Sequence, residues 1–262
     1  MSNEDVLTNY NAIGIDVIER MYSDGYLSIG GDESTREQAR LGGIAAGHRV
    51  LDVGSGLGGP ACLLAGEFGC NVTGLDLVGL NVAAAQKAAD ASGVSEATRF
   101  VQGDATAMDF ADAEFDVVWG QDAWCHVDDK VALIAECARV LKHNGRMVFS
   151  DWVTLGQADV ATVQAALDAA ASPHMVAVEC YVALLQDHGL VVESRQDLSA
   201  LFTRQYQQVM AGLNDVSEQI VQRWGQKVFN IVAEKNGDIL RGFEQRAIGG
   251  VRIVAHKTLS QR

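Results

Sequence analysis

The sequence contains little proline, no paired cysteines and no long apolar run. Two prolines in 262 residues, with no serine- and glycine-rich stretch, leave no obvious linker between domains. The five cysteines are scattered and include no Cys-x-x-Cys pair, which argues against structural zinc and a disulfide framework and favours a reducing compartment. No apolar run reaches the ~18–20 residues of a membrane-spanning helix. We therefore expect a chain without a membrane segment.

Positive charge is also scarce. The chain has 20 Lys and Arg against 34 Asp and Glu, which gives a formal net charge of −14. Such a chain repels phosphate backbones, so nucleic acid is not an expected partner. Residues 1–5 are acidic and lack the basic and apolar blocks of a signal peptide, so we predict a cytoplasmic protein. The sequence leaves both a monomer and a homodimer open.

Short β-branched runs alternate with longer helical patterns through the centre of the chain. This alternation predicts an α/β fold with a doubly wound, seven-stranded, mostly parallel sheet. The predicted strands are 49–53, 71–76, 99–101, 115–119, 146–150, 190–193 and 251–255. Helices are predicted over 60–68, 82–92 and 131–141, with a later one ending near Gly189.

Two segments fall outside this alternation. Residues 1–40 have a helical pattern interrupted by a turn at 23–25, and residues 198–245 have helical patterns placed before the last strand. Additions of this kind cover the open end of a sheet, where doubly wound folds bind ligands. We therefore predict an N-terminal lid segment over 1–40, a cofactor-binding core over 41–197, a helical lid over 198–245 and the last core strand over 246–262.

A glycine loop follows the first predicted strand, with Gly54, Gly56, Gly58 and Gly59 after Val53. Glycines there permit a tight turn and let the backbone approach a ligand closely. An acid ends the next strand, 20 residues after Gly56, where it can accept hydrogen bonds from both hydroxyls of a ribose; this is Asp76. Together these features predict a nucleoside cofactor.

Two further acids select the kind of cofactor. Asp52 precedes the glycines and places a negative charge where a pyrophosphate would need none, so it suits a cationic ligand. Asp104 follows the third strand and either faces an adenine amino group or caps a turn. Three strand-end acids around a glycine loop fit a cation-bearing nucleoside such as S-adenosyl-L-methionine.

Between about residues 45 and 155 the chain resembles class I S-adenosylmethionine-dependent methyltransferases. The segments that carry the resemblance are 51–56, 74–76, 103–105 and 115–119. The resemblance implies a Rossmann-like fold, a methyltransferase activity and a small-molecule acceptor. The cofactor-binding residues that we predict are Tyr26, Ser28, Asp52, Gly54, Ser55, Gly56, Asp76, Leu77, Asp104, Ala105 and Gln121.

The stretch from Trp119 to His126 is similar to sarcosine/dimethylglycine N-methyltransferases and also to phosphoethanolamine methyltransferases. A phosphobase carries about two negative charges and needs several Arg, Lys or Tyr donors. Gln121 replaces the arginine of that family, and residues 165–178 contain none of these donors. We therefore predict methylation of a glycine-derived amine on the route to betaine. A lid arginine would bind its carboxylate, the candidates being Arg204, Arg223 and Arg241.

The acceptor must lose a proton before it attacks the methyl group. His126 is predicted to receive or relay that proton, and Asp122 to hold an ammonium group or fix the tautomer of His126. The candidate substrate residues are Trp124, Asp151, Trp152 and Tyr206. The two tryptophans would form an aromatic wall for a methylated cation or pack in the core; Asp151 would contact substrate or cap a turn.

Several alternatives stay open at this point. The same core takes apolar acceptors in O- or C-methylation of natural products, and a phosphobase acceptor is a further possibility. A cofactor-binding protein without catalysis is the alternative outside the enzymes. No metal site is predicted.

Overall fold

The computed structural model describes residues 11–22 and 25–258. Its centre is one seven-stranded sheet. The strands are β1 (Arg49–Val53), β2 (Asn71–Asp76), β3 (Thr98–Gln102), β4 (Phe115–Gln121), β5 (Leu141–Thr154), β6 (Leu190–Asp197) and β7 (Ile248–Lys257). Their order in the sheet is β3-β2-β1-β4-β5-β7-β6. The first five strands are mutually parallel, and β7 runs antiparallel between β5 and β6. The predicted seven-stranded, mostly parallel sheet is confirmed.

The last strands are longer than the sequence pattern predicts. β5 and β7 pair from Arg146 opposite His256 to Thr154 opposite Ile248, well beyond the two apolar runs. Antiparallel pairing supplies hydrogen bonds along the whole ladder, so polar and glycine positions join the strands although their hydropathy gives no signal. Residues 143–145 lie at a register irregularity of β5, where Asn144 has φ +60°.

Helices cover both faces and the open end of the sheet. They are α1 (Ala12–Met21), α2 (Gly31–Leu41), α3 (Gly59–Phe68), α4 (Gly79–Ser92), α5 (Lys130–Val140), α6 (Val160–Ala169), α7 (Val178–Asp187), α8 (Ser199–Leu213), α9 (Ser217–Trp224) and α10 (Gln226–Glu244). The predicted turn at 23–25 includes Ser23 and Asp24, which lie outside the described residues. Helix α6 was not predicted; it begins where Asp159 accepts a hydrogen bond from the Thr162 amide at 2.9 Å, and it packs on α10.

The two segments outside the core pattern pack against each other. Val17 and Met21 of α1 form an apolar cluster with Val209 and Leu213 of α8 and with Ile220 of α9. This contact brings the beginning of the chain against its later helices. The four-part division of the chain stays a prediction. Within the ranges 11–22 and 25–258, no helix is long and apolar enough to cross a membrane.

Candidate active site

A cavity with about 950 Å³ of empty space, open solvent included, lies at the carboxyl ends of β1, β2 and β4. It brings together nearly all of the cofactor-binding residues predicted from the sequence. The predicted residues that line it are Ser28, Asp52, Gly54, Ser55, Gly56, Asp76, Leu77, Asp104, Ala105, Gln121, Asp122 and His126. We refer to it as the first cavity.

The glycine loop is hydrogen-bonded to β2 through a backbone carbonyl and a carboxylate. The amides of Gly54 and Ser55 both donate to the Leu75 carbonyl, at 2.8 and 3.1 Å. Gly54 has φ +81°, a conformation that side chains with a Cβ rarely adopt. Asp76 Oδ2 accepts from the Gly56 amide at 2.8 Å, so this acid sets the shape of the loop as well as lining the cavity.

Asn81 is a site residue that sequence reasoning missed. Its Nδ2 donates to Asp76 Oδ1 at 3.1 Å, and the Val78 amide donates to the same oxygen at 2.9 Å. Asn81 lies in the first turn of α4 and lines the first cavity. The sequence did contain a signal for this residue, because Asn81 lies in the first turn of the helix that follows a strand-end acid.

Asp52 is a buried carboxylate without a counter-charge. It is 1% exposed, and its Oδ2 has no hydrogen-bond partner among the described residues; the Ser55 hydroxyl shares this property. Burial, and secondarily the charge of Asp76, raises the pKa of Asp52 to about 8. A cationic ligand group would relieve both the desolvation of this carboxylate and its repulsion by Asp76. The residues present therefore fit S-adenosylmethionine, which carries a sulfonium and an ammonium group.

Tyr26 is the predicted cofactor residue that does not line the first cavity. It is 3% exposed, and its hydroxyl donates to Asp32 Oδ1 at 2.9 Å. The ring packs over Gly59 behind the glycine loop. The N-terminal segment reaches the cavity instead through Gly25, Leu27 and Ser28.

Asp104 caps a turn, which is one of its two predicted roles, and its contact with an adenine amino group stays a prediction. Its Oδ1 accepts from the amide and the hydroxyl of Thr106, at 2.8 and 2.7 Å, which is a turn cap. The residue also lines the first cavity beside Ala105.

The exit of β4 is tied to the N-terminal segment by two side chains. Gln121 Nε2 donates to the Ser28 hydroxyl at 3.1 Å, and its Oε1 accepts from the Thr35 hydroxyl at 3.0 Å. Asp122 accepts from the Ile29 amide at 3.2 Å and from the Ser150 hydroxyl at 2.7 Å. Burial raises the pKa of Asp122 to about 7, against the Ser150 bond that lowers it. With φ +54°, Asp122 holds a strained conformation of the kind found at functional sites.

His126 is contacted at its Nδ1 by two groups of the segment that follows α6. The Ala171 carbonyl lies 3.2 Å from this nitrogen. The Ser172 hydroxyl lies 2.9 Å from it. These groups, and not Asp122 as predicted, contact Nδ1. Burial is the main cause that lowers the pKa of His126 to about 4, so the ring is neutral at pH 7.

The 3-10 turn Trp124–His126 is held by a buried lysine. Lys130 is 5% exposed, and its ammonium donates to the carbonyls of Cys125, Val127 and His174. It therefore connects the turn that carries His126 to the loop that contacts its ring.

A second cavity lies between α1, α10 and the segment 169–171, with about 1280 Å³ of empty space, open solvent included. It shares three lining residues with the first cavity, namely Leu27, Asp122 and His126. A group at this junction would be in contact with the contents of both cavities. Trp152 lines the second cavity, as predicted for an acceptor residue.

Trp124 and Asp151 lie in the core instead of lining either cavity. Trp124 is 1% exposed, donates from Nε1 to the Val53 carbonyl at 3.0 Å and stacks on Phe149. Trp124 lies in the 3-10 turn at the exit of β4, and its ring packs in the core. Of the two tryptophans predicted to form an aromatic wall, only Trp152 therefore lines a cavity. Asp151 accepts from the Cys125 amide at 3.0 Å and from the Tyr181 hydroxyl at 2.5 Å. It supports the turn rather than contacting substrate.

Tyr206 lies behind the lining of the second cavity and contacts two of the residues that line it. It is fully buried, its hydroxyl donates to Asn236 Oδ1, and its ring meets Trp152 edge to face at 6.0 Å. Asn236 and Trp152 line the cavity, whereas Tyr206 does not.

The predicted lid arginines do not reach the acceptor region. Arg223 pairs with Asp16 at 3.6 Å and Arg241 with Asp238 at 2.8 Å. Within the described residues, neither they nor Arg204 line a cavity at the site, and Lys235 is the one lysine or arginine on the second cavity. No group of three or more potential metal ligands occurs in the described part of the chain.

The fold matches solved methyltransferases over most of the chain. Phosphoethanolamine N-methyltransferase 2 from Haemonchus contortus, solved with phosphomonomethylethanolamine and S-adenosylhomocysteine, gives a TM-score of 0.90 at 20% identity, covering 99% of this chain and 61% of that one. A putative sarcosine dimethylglycine methyltransferase from Galdieria sulphuraria gives 0.79 at 23%, covering 87% and 84%. The chain therefore has the Rossmann-like fold of S-adenosylmethionine-dependent methyltransferases.

Sequence comparison identifies the domain. Residues 51–149 match the family described as methyltransferase domain. Phosphoethanolamine N-methyltransferase 1 from Zea mays is 34% identical over 144 residues, which are 55% of this chain and 28% of that protein. The chain thus spans less than a third of the length of this relative. It carries a methyltransferase domain, and the resemblance that its glycine loop and strand-end acids indicated is confirmed.

Proposed function

We propose that the chain transfers the methyl group of S-adenosylmethionine to an amine nitrogen of a small-molecule acceptor. The observation that carries this proposal is the meeting of the two cavities at Leu27, Asp122 and His126. One cavity offers a glycine loop and an uncompensated carboxylate to a cationic nucleoside. The other offers room for an acceptor, whose nucleophile would lie at the junction beside the first cavity.

When bound, the cofactor supplies an electrophilic methyl group on a sulfonium. The residues that would hold it are Asp52 and Ser55, whose Oδ2 and Oγ have no hydrogen-bond partner among the described residues, and Asp76, which is held by Gly56 and Asn81. Methyl transfer needs alignment of donor and nucleophile more than acid or base strength. The buried hydrogen bond between Gln121 and Ser28 joins two residues of the cavity lining.

The two titratable residues at the junction have different protonation behaviour. Asp122, with its pKa raised to about 7, matches neutral pH as an acceptor of the ammonium proton. His126, with its pKa lowered to about 4, stays neutral at pH 7 and lies at the junction, where it orients the amine. The proposal thus gives Asp122 the role of proton acceptor, whereas the sequence prediction gave that role to His126.

The nitrogen acceptor is supported by similarity to both phosphoethanolamine and sarcosine-type N-methyltransferases. A phosphobase needs several cationic or phenolic donors. Among the described residues on the second cavity these are Lys235 and Tyr22, which argues against a phosphate group. A glycine-derived amine stays a prediction, although the arginine expected for its carboxylate is not at the cavity.

The test is release of S-adenosylhomocysteine across glycine, sarcosine, dimethylglycine, phosphoethanolamine, aryl-substituted amines and phenols. We expect turnover with amines and none with phenols. Turnover with phenols alone would replace the amine by a hydroxyl acceptor. Cofactor binding without turnover of any acceptor would favour the non-catalytic alternative. A His126→Ala variant that binds the cofactor normally and loses turnover would support the junction as the acceptor site.

A further inference from the structure

The walls of the second cavity are apolar along both lid helices. Helix α1 contributes Val17, Ile18 and Met21, and α10 contributes Ile231 and Val232. Trp152 and a run of three alanines over 169–171 complete the walls near the junction. Asp122 and His126 lie at the junction with the first cavity, and Lys235 and Tyr22 are further polar side chains on the second cavity.

Two of the other polar side chains on this cavity, both of them amides, are engaged within the protein. Asn11 Oδ1 caps α1 by accepting from the amides of Ile13 and Gly14, at 2.9 and 3.1 Å. Asn236 donates to the Val232 carbonyl at 2.8 Å and accepts from Tyr206. Most of the remaining described lining is apolar.

The cavity is also large for a glycine derivative. Its volume of about 330 Å³ lies within the roughly 300–1,000 Å³ of sites for drug-sized ligands. The cavity therefore has room for an acceptor with a larger body than glycine.

From these observations we infer that the acceptor is an amine with an apolar body of at least one ring, which lies between α1 and α10 while its nitrogen lies at Asp122 and His126. This inference rests on the proposed methyl transfer and specifies its substrate class. The apolar walls supply the affinity through buried area, and the acid and histidine fix the orientation of the nitrogen.

The experiment measures binding and not turnover, so that the two proposals fail separately. Protein saturated with S-adenosylhomocysteine is titrated calorimetrically with N-methylphenethylamine, with sarcosine and with phosphoethanolamine. We expect N-methylphenethylamine to bind at least tenfold more tightly than either of the others. Equal or tighter binding of sarcosine or phosphoethanolamine would overturn the inference. Methyl transfer to any amine in the turnover panel would leave the proposed function standing.

A variant pair locates the bound body. Ile231→Glu introduces a charge on the wall of the second cavity at a residue that is 45% exposed, where the fold tolerates it. Val160→Glu makes the same change at a residue that is 84% exposed and lines neither cavity at the site. We expect Ile231→Glu to weaken binding of N-methylphenethylamine at least tenfold and Val160→Glu to change it less than twofold. Equal affinity of the two variants would place the ligand elsewhere and overturn the inference.

Discussion

The two cavities of this protein are built in opposite ways. The first is made of strand ends and the loops that follow them, at 52–56, 76–81 and 103–105, and its key side chains are carboxylates. The second is made of helix faces from opposite parts of the sequence, α1 and α10, and its walls are apolar. Binding of the cofactor therefore depends on backbone geometry and charge, whereas recognition of the acceptor depends on how distant helices pack.

The largest expected effect is at the junction of the cavities. Asp122→Asn keeps the size of the side chain and removes the proton acceptor, and loss of a positioned base costs about 10²–10⁴ in rate. We expect kcat to fall at least 100-fold with cofactor affinity changed less than threefold. In the native protein, activity should fall as pH decreases through about 7, where the raised pKa of Asp122 lies. The measurement is the pH profile of kcat/KM.

The exposed Asp187→Asn is the matched control and should leave the profile unchanged. An Asp122→Asn variant that retained both full activity and the acid limb would contradict this role.

The next prediction concerns Asp52 in the first cavity, where one substitution should lower the affinity for the cofactor and raise the stability of the protein. Asp52→Asn removes the buried charge that a cationic cofactor would neutralise, and loss of one partner of a buried charge pair costs about 2–5 kcal/mol of binding. We expect cofactor affinity to fall at least 30-fold in calorimetry. Without cofactor, the melting temperature should rise at pH 8, because the desolvated carboxylate is gone.

The pH dependence of that stability has a defined sign. The pKa of Asp52 is raised from the usual value near 3.8 to about 8, so the folded protein holds this proton more tightly than the unfolded chain. Asp52 makes its full contribution to the stability of the fold below pH 4, and this contribution is lost as the pH rises towards 8. The difference in melting temperature between Asp52→Asn and the native protein should grow over this range. A constant difference would contradict the raised pKa.

A glycine pair tests the loop of the first cavity. Gly54 and Gly47 both have φ +81°, but an added Cβ at Gly54 would lie 2.4 Å from the Ala123 Cβ, whereas at Gly47 it would meet nothing within 4 Å. Alanine in the left-handed conformation costs about 1–2 kcal/mol at either position. Overpacking at Gly54 adds about 1–3 kcal/mol. Denaturant unfolding should show Gly54→Ala as clearly less stable than Gly47→Ala, and equal stabilities would refute the close approach.

The smallest expected effect concerns the support of the second cavity. Tyr206→Phe removes the hydroxyl that donates to Asn236, at a cost of about 1 kcal/mol in unfolding free energy. Because Asn236 lines the second cavity, we expect KM for the acceptor to rise a few-fold with unchanged cofactor affinity. A fall in kcat at constant KM would instead give Tyr206 a direct role in the reaction.

Sequence reasoning succeeded where neighbouring residues decide the structure. The glycine loop and the acids at 52, 76 and 104 are fixed relative to their own strands, so the order of the strands alone brings them to one edge of the sheet. It left the roles of Trp124 and Asp151 open, because Trp124 belongs to a 3-10 turn and Asp151 accepts a hydrogen bond from the Cys125 amide of the same turn. No periodic pattern marks such a turn.

The sequence by itself determined the alternation of strands and helices, the glycine loop and the acids that line the first cavity, because these depend on local hydropathy and on backbone freedom. Tertiary structure decided which residues line the second cavity. Helices α1 and α10 are separated by about two hundred residues of chain, and their apolar faces become one cavity only when they pack over the sheet. The lowered pKa of His126 and the raised pKa of Asp122 have the same origin, since both come mainly from burial among groups distant in the sequence.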